Sequence, residues 1–593
     1  MDLQNFYTGQ MFDAYKYLGA HITDKGVLFR TYAPHASRVC LIASHNNRRP
    51  LEMKRVWDNF WEVLCPKAKA GTVYKYRIYD QDGNPVEHCD PYGFGMELRP
   101  KFGSIVRDLS TYRFDDENWM RRRSDCRNRP LNIYEVHIGS FRKKGGLVED
   151  WYDYEEFIDI LIPYVKEHGY NYIELMPLNE HPSDISWGYQ STGFFSPTAR
   201  HGSAEQLKKF VDACHKENIG VIMDFVPVHF ALDAYGLAKY DGTPIYEYDD
   251  PKLAISEWGT CNFVHGKGEV RSFLQSAANF WLEEFHFDGL RMDAISRAVY
   301  WEGDPDKGIN QGAVDFLKCM NDGLKRRHPT AILAAEDSSA FPGVTKPVFE
   351  GGLGFDYKWD MGWMYDTLAY MKADPDKRSD IYYSLTFSMM YFYNDRFLMP
   401  LSHDEVVHGK GSILNRMNGD YHRQLRQARA LYMYMFAHTG KMLNFMGNEF
   451  AQIKEWDVQE QQQWELLDQP EHQKFHRFTR DLNKLYLYHP ALWERDFDRE
   501  GFRWIDCDQI NRCIYAFERL CGSERIIVVM NLSQYDQQYW LQVRDSDKIQ
   551  PLMFSSWDIY GGTEPVNQYD WNCGYGGINL TLKPESVMYF QVK

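Results

Sequence analysis

Apolar and polar positions follow three rhythms along the chain. From about residue 20 to 110 the apolar runs are short and β-like, at 27–32, 38–42, 60–64 and 72–79, the last closed by the turn Gln81-Asp82-Gly83-Asn84-Pro85. They predict a small β-sandwich. A charged stretch, 115–129, ends at Pro130 and reads as a linker. From Leu131 to about Pro490, buried-type strands alternate with amphipathic helices. Ser203-Ala204-Glu205-Gln206 has the form of a capping box, and Leu207, Phe210, Val211 and Cys214 follow at helical spacing, with Gly220 as the stop. A second helix carries Val270, Phe273, Leu274, Ala277, Trp281, Leu282 and Phe285 on one stripe. Eight apolar runs read as parallel strands: 132–138, 172–177, 220–226, 287–293, 331–335, 355–359, 397–401 and 441–446. After Trp493 short strands return, at 502–505, 513–517, 526–531 and 587–592.

Eight strands alternating with helices predict an α/β fold, a (β/α)8 TIM-type barrel. A doubly wound open sheet is the alternative, but no Gly-rich phosphate loop opens a helix after any of these strands. The expected domains are an N-terminal β-sandwich at 1–114, a linker at 115–130, the barrel at 131–490 and a C-terminal all-β domain at 491–593.

Composition narrows the partners. The 593 residues are 16 % aromatic, with 17 Trp, 40 Tyr and 36 Phe, and carry a net charge of −16. So aromatic a chain has ample surface to bury, which excludes disorder. The acidic balance argues against binding a nucleic acid, and the aromatic excess suits stacking on flat neutral faces such as sugar rings. The N-terminus shows neither a basic nor an apolar signal region, and no window reaches the ~20 apolar residues of a membrane span. The 11 Cys are scattered without a CxxC pair, so reduced structural thiols are expected. A cytoplasmic protein is the expectation, with no membrane partner.

In a barrel, chemistry stands at the C-terminal ends of the strands. There the chain places Asp224 and His229 after the third strand, Arg291 and Asp293 at the fourth, Glu336 and Asp337 at the fifth, and His403 and Asp404 after the seventh. Residues two apart on a strand face the same way, so Arg291 can hold Asp293 ionised, as a nucleophile requires. A lone acid at a strand end is more often a cap or an ion-pair partner, and a lone His a satisfied core residue. Four acidic strand ends together, without metal-ligand spacing, suggest glycosidic chemistry.

These segments resemble the signature regions of the α-amylase superfamily. Together with Ser186-Trp187-Gly188-Tyr189-Gln190, Glu257-Trp258-Gly259-Thr260, the run from Leu401 to Lys410, and Gly447-Asn448-Glu449, they resemble more narrowly the branching enzymes that remodel 1,4-α-glucans. The resemblance implies that Asp293 is the nucleophile, Glu336 the acid/base and Asp404 the transition-state stabiliser. It implies that Arg291 positions Asp293, that Asp224 is architectural, and that Tyr189, His229 and His403 line the subsite of the attacked glucose. Trp187 and Trp258 would add sugar contacts. It implies a retaining transfer on an α-1,4-glucan polymer such as glycogen or amylose by a monomer. It also gives the N-terminal sandwich the character of a glycogen-binding-type module, with Trp57, Trp61 or Tyr76 as a sugar platform or as core. Adjacent residues Glu336 and Asp337 compete for the acid/base role; the family pattern favours Glu336.

No cofactor and no metal are expected. The insertion at 231–256 is short, and its acids Asp241, Asp249 and Asp250 show no calcium-loop pattern and read as a solvated loop. A hydrolase of the same superfamily (an amylase, a debranching or a trehalose-releasing enzyme) is the nearest alternative; a non-catalytic glucan-binding scaffold and an aromatic nucleic-acid binder are more distant ones.

Overall fold

The computed structural model describes residues 1–57, 59–543 and 548–593. Eight parallel strands follow in chain order as a closed barrel. They are β1 (Asn132–Val136), β2 (Tyr172–Leu175), β3 (Gly220–Phe225), β4 (Gly289–Met292), β5 (Ile332–Ala335), β6 (Tyr357–Trp359), β7 (Phe397–Leu401) and β8 (Lys441–Phe445). All eight expected runs are strands. Every residue in them is buried, which is why they read as unbroken apolar segments rather than as alternating ones. The capping box forms as predicted: Ser203 accepts from the Gln206 amide, Gln206 reaches back, and the helix Ala204–Lys216 follows. Its end differs from expectation. Asn218 takes the left-handed position (φ 61°), and Gly220 already belongs to β3.

The chain forms two compact units, 1–125 with 137–162 and 174–356, and 126–136 with 163–173 and 357–593. In the first, the N-terminal domain is a sandwich of two antiparallel sheets. One orders Gly19–Thr23, Gly26–Tyr32, Phe60–Cys65 and Lys54–Val56; the other orders Leu51–Glu52, Arg38–Ala43, Val73–Tyr79 and Pro85–His88, with Ser104–Ile105 paired to Val73–Tyr79. Strand alternation turns Tyr74, Tyr76 and Ile78 inward. Tyr76 is therefore core, its hydroxyl donating to Asp90 (3.0 Å). Trp61 is core too, its indole N–H bonded to the Ala33 carbonyl (3.0 Å). Of the three expected platform rings only Trp57 is exposed, with the Arg30 guanidinium 5.0 Å from its ring centre.

Polar bonds fasten this domain within its unit. Ser272 and Gln275 of the helix Gly268–Glu284 donate to the carbonyls of Phe6 and Gly9 (2.8 and 2.9 Å), anchoring the short helix Leu3–Thr8. Asp241 accepts from the His35 amide (2.7 Å) and the Thr243 hydroxyl (2.6 Å). It is buried, so the expectation of a solvated loop fails there: the acid is used as a tether, and burial is tolerable because its lone pairs are taken. Within 115–130, Trp119 donates to Asp288 (2.8 Å) and Arg123 to Thr330 (2.9 Å).

The second unit contains the C-terminal domain, a six-stranded sheet ordered Phe502–Gln509, Ile514–Cys521, Glu524–Asn531, Ser586–Val592, Lys548–Phe554 and Trp571–Asn572, with a separate ribbon of Gln537–Gln542 and Gly577–Leu582. All eleven cysteines are free thiols. Among the described residues no helix is long and apolar enough to cross a membrane.

Candidate active site

The first unit aligns β3, β4 and β5 so that Asp224 stands opposite Arg291 and Arg291 opposite Ala334. Asp293 and Glu336, each two residues further on, return to the same side. Arg291 is fully buried beneath them. Its Nη1 donates to Asp224 (2.5 Å), to Asp293 (3.1 Å) and to the Tyr189 hydroxyl oxygen (3.2 Å), while Nη2 donates to Glu336 (2.9 Å). Tyr189 in turn donates to Asp224 (2.5 Å). Ala294 adopts a left-handed backbone (φ 53°), unusual for a residue with a Cβ, and its N–H points at the Glu336 carboxylate (2.9 Å).

Strand alternation also separates the two adjacent acids. Glu336 joins the Arg291 cluster with part of its side chain open to solvent. Asp337 faces away, buried, accepting from the amide and hydroxyl of Ser339 (2.9 and 2.6 Å) as a turn cap.

Two of the three carboxylates that share this guanidinium differ in acidity. Burial pushes Asp224 up to about 7, with the Asp293 charge adding to the rise and Arg291 only partly offsetting it. Burial would raise Asp293 as well, but the neighbouring His229 and the Arg291 charge outweigh it and hold this carboxyl below its usual range. Of the pair, Asp293 is the more acidic and Asp224 the less acidic. His229 Nε2 lies 3.6 Å from Asp293 Oδ2, and its ring centre is 5.1 Å from that of Trp258. Trp258 is 45 % exposed, with the Arg297 guanidinium 5.5 Å from its ring. Trp187 is half-buried at another left-handed position (φ 55°). Next to it Gly188 (φ 95°) passes so close to the Pro177 carbonyl that a Cβ would stand 2.5 Å from its oxygen.

In the second unit, His403 and Asp404 follow β7. Glu135 of β1 accepts both from the His403 amide (3.1 Å) and from its Nδ1 (2.5 Å). An ionised carboxylate can only accept, so the proton sits on Nδ1 and Nε2 is turned toward Asp404 (3.4 Å). Asp404 keeps about a third of its side chain exposed. Glu405 is buried between Lys410 (3.0 Å) and Arg416 (2.9 Å), which pins the loop carrying Asp404.

Glu135 and Ala294 are the functional neighbours that sequence reasoning missed. Glu135 had a legible signal, a lone acid inside a wholly buried strand. The contribution of Ala294 is a backbone N–H, which no side-chain pattern reveals. Among the described residues no group of three or more His, Cys, Asp or Glu is arranged to hold a metal ion.

Comparison with known proteins gives this arrangement a family. Residues 17–93 match carbohydrate-binding module 48 (isoamylase N-terminal domain), 151–241 the α-amylase catalytic domain and 504–593 the α-amylase C-terminal all-β domain. In overall fold the chain resembles a pullulanase from Anoxybacillus sp. LM18-11 solved with maltotetraose (TM-score 0.77, 16 % identity, 100 % of this chain and 89 % of that one). It also resembles a pullulanase from Bacillus acidopullulyticus (TM-score 0.74, 16 % identity, 99 % and 76 %). The 1,4-alpha-glucan branching enzyme GlgB of Fusobacterium nucleatum is 44 % identical across 100 % of this chain and 99 % of its own length. That of Bacillus cereus strain B4264 is 41 % identical across 95 % and 89 %. With identity of that level sustained from end to end, the chain belongs to the 1,4-α-glucan branching enzyme family.

Proposed function

We propose that this protein cleaves an α-1,4 link in a linear glucan and transfers the released chain to a 6-hydroxyl, creating an α-1,6 branch with retention of configuration. In the first step Asp293 attacks the anomeric carbon and the glycosidic C–O bond breaks. Glu336 gives its proton to the departing chain's oxygen, leaving a glycosyl ester on Asp293. In the second, Glu336 takes the proton of an acceptor 6-hydroxyl, whose oxygen displaces Asp293. Asp404 bonds the sugar hydroxyls and offsets the positive charge that develops on the ring. Tyr189, His229 and His403 hold the attacked glucose, and Trp187 and Trp258 stack along the chain. Arg291 positions Asp293, and Asp224 is architectural. No cofactor takes part, and the enzyme works as a cytoplasmic monomer.

One observation carries the retaining chemistry: a single buried arginine grips both Asp293 and Glu336, with the first held below the usual carboxylate range. Sequence identity to the GlgB enzymes selects branching among the reactions such a site can run. To test this, amylose is incubated with the protein while iodine colour and reducing ends are followed, and the product is then debranched. Colour should fall with almost no new reducing ends, and debranching should release short chains. Reducing ends rising in parallel with colour loss would mean that water, not a glucan hydroxyl, completes the reaction.

A further inference from the structure

The ribbon of the C-terminal domain carries a surface that the catalytic account leaves unused. We infer that its outer face, built on Trp540, is a second α-glucan-binding site, which rests on the reading that this enzyme works on α-glucan.

Strands Gln537–Gln542 and Gly577–Leu582 pair with Gln538 opposite Thr581, Trp540 opposite Asn579 and Gln542 opposite Gly577. Alternation sends Tyr539, Leu541, Leu580 and Leu582 inward and leaves Gln538, Trp540, Gln542, Asn579 and Thr581 on the outside. Between the strand ends that outer face is an indole among amides and a hydroxyl, bounded at one end by the Asp536–Lys583 ion pair (3.2 Å). Trp540 is 52 % exposed. Its ring is held in place because it lies across Gly577, where a Cβ would stand 2.7 Å from the indole. A ring fixed in this way loses little freedom when a ligand covers it.

Beside the ring, the polar groups are already ordered. Gln538 donates to Thr581 (3.0 Å) and its carbonyl oxygen accepts from Thr581 (3.3 Å) and Asn579 (3.4 Å). Amides and hydroxyls offer donors and acceptors together, as the hydroxyls of a neutral sugar require, whereas a nucleic acid would want a surplus of cations, and the Lys583 at the edge of this face is matched by Asp536. The turn leading into the second strand adds Tyr575, fully exposed at a left-handed position (φ 54°) that a glycine would occupy without strain. Two aromatic rings standing in water beside an uncharged hydrogen-bonding ladder match a glucan chain, which presents apolar ring faces edged with hydroxyls.

Native gel electrophoresis through gels containing amylopectin tests the site with the full-length protein, using Trp540→Ala, Gln538→Ala and the untouched enzyme, and dextran gels as the control polymer. Retardation by amylopectin should weaken about fivefold in Trp540→Ala and less in Gln538→Ala. Turnover of short soluble maltooligosaccharides should be unchanged, and neither protein should be slowed by dextran. Equal retardation of all three proteins would overturn the assignment, as would a change in sedimentation mass in Trp540→Ala without a change in glucan mobility, which would make the face a protein contact. An untouched enzyme that amylopectin retards more than either variant but that forms no branches would count against the catalytic account alone.

Discussion

Two buried charge clusters sit in the same compact unit and are built on opposite plans. Around Arg291 one cation meets Asp224, Asp293 and Glu336, and the acidities of the two aspartates diverge. Around His215 the charges balance: its two nitrogens meet Asp116 (2.8 Å) and Asp288 (2.9 Å), Arg123 reaches Asp288 (3.5 Å), and His286 Nδ1 lies 2.8 Å from Asp116. Burial would lower His215, but the two carboxylates outweigh it and raise the imidazole to about 9. Asp116 and Asp288 are both held below the ordinary carboxylate range despite burial. The saturated cluster stabilises; in the undersupplied one burial lifts Asp224 while Asp293 is held below its usual range. A shortage of cations, rather than burial or charge as such, is what separates a reactive cluster from a structural one.

Substitutions should break that contrast in order of size. Asp293→Asn should reduce transfer at least ~10³-fold while the protein unfolds at an unchanged temperature, measured by initial rates and calorimetry. Next comes the adjacent pair. Glu336→Gln should cost about 10²–10³-fold in rate, and Asp337→Ala mainly stability, about 1–2 kcal/mol through the lost turn cap; an inactive Asp337→Ala beside an active Glu336→Gln would reverse their roles.

His215→Ala should leave the pH–rate profile alone and destabilise the protein by about 3 kcal/mol, because two buried carboxylates lose their partner. Since its folded pKa is raised, the His215 contribution is complete below about 6.5 and is lost as pH climbs through about 9, so chemical denaturation of wild type and variant should converge at alkaline pH. Asp224→Asn should show its effect in the pH dependence of stability. The wild-type carboxyl binds its proton more tightly folded than unfolded, so wild-type stability relative to this variant should decline as pH rises from about 4 to about 7.

What could be read in advance follows from the same physics. All eight barrel strands were legible because strands buried on both faces are continuous apolar runs. Arg291 and Asp293 were legible as partners from their spacing of two. Tyr76 could have been assigned to the core by the same rule, since Tyr74, Tyr76 and Ile78 alternate with Lys75 and Arg77; its reading as a platform came from residue type alone. The edge strands Leu51–Glu52 and Lys54–Val56 are short and polar, and the helix Leu3–Thr8 spans too few turns to show a period, so none of them stood out. Asp241 and Asp288 owe their importance to partners far away in sequence, which no local pattern carries.

The central claim is that Asp293 becomes a glycosyl ester while Glu336 moves the proton. The direct measurement is mass spectrometry of the Glu336→Gln protein after reaction with an α-maltosyl fluoride, whose leaving group needs no acid. The account predicts a peptide containing Asp293 that carries the maltosyl mass, absent when Asp293→Asn is added. An adduct on any other residue, or turnover of the fluoride by the Asp293→Asn protein at the Glu336→Gln rate, would contradict it.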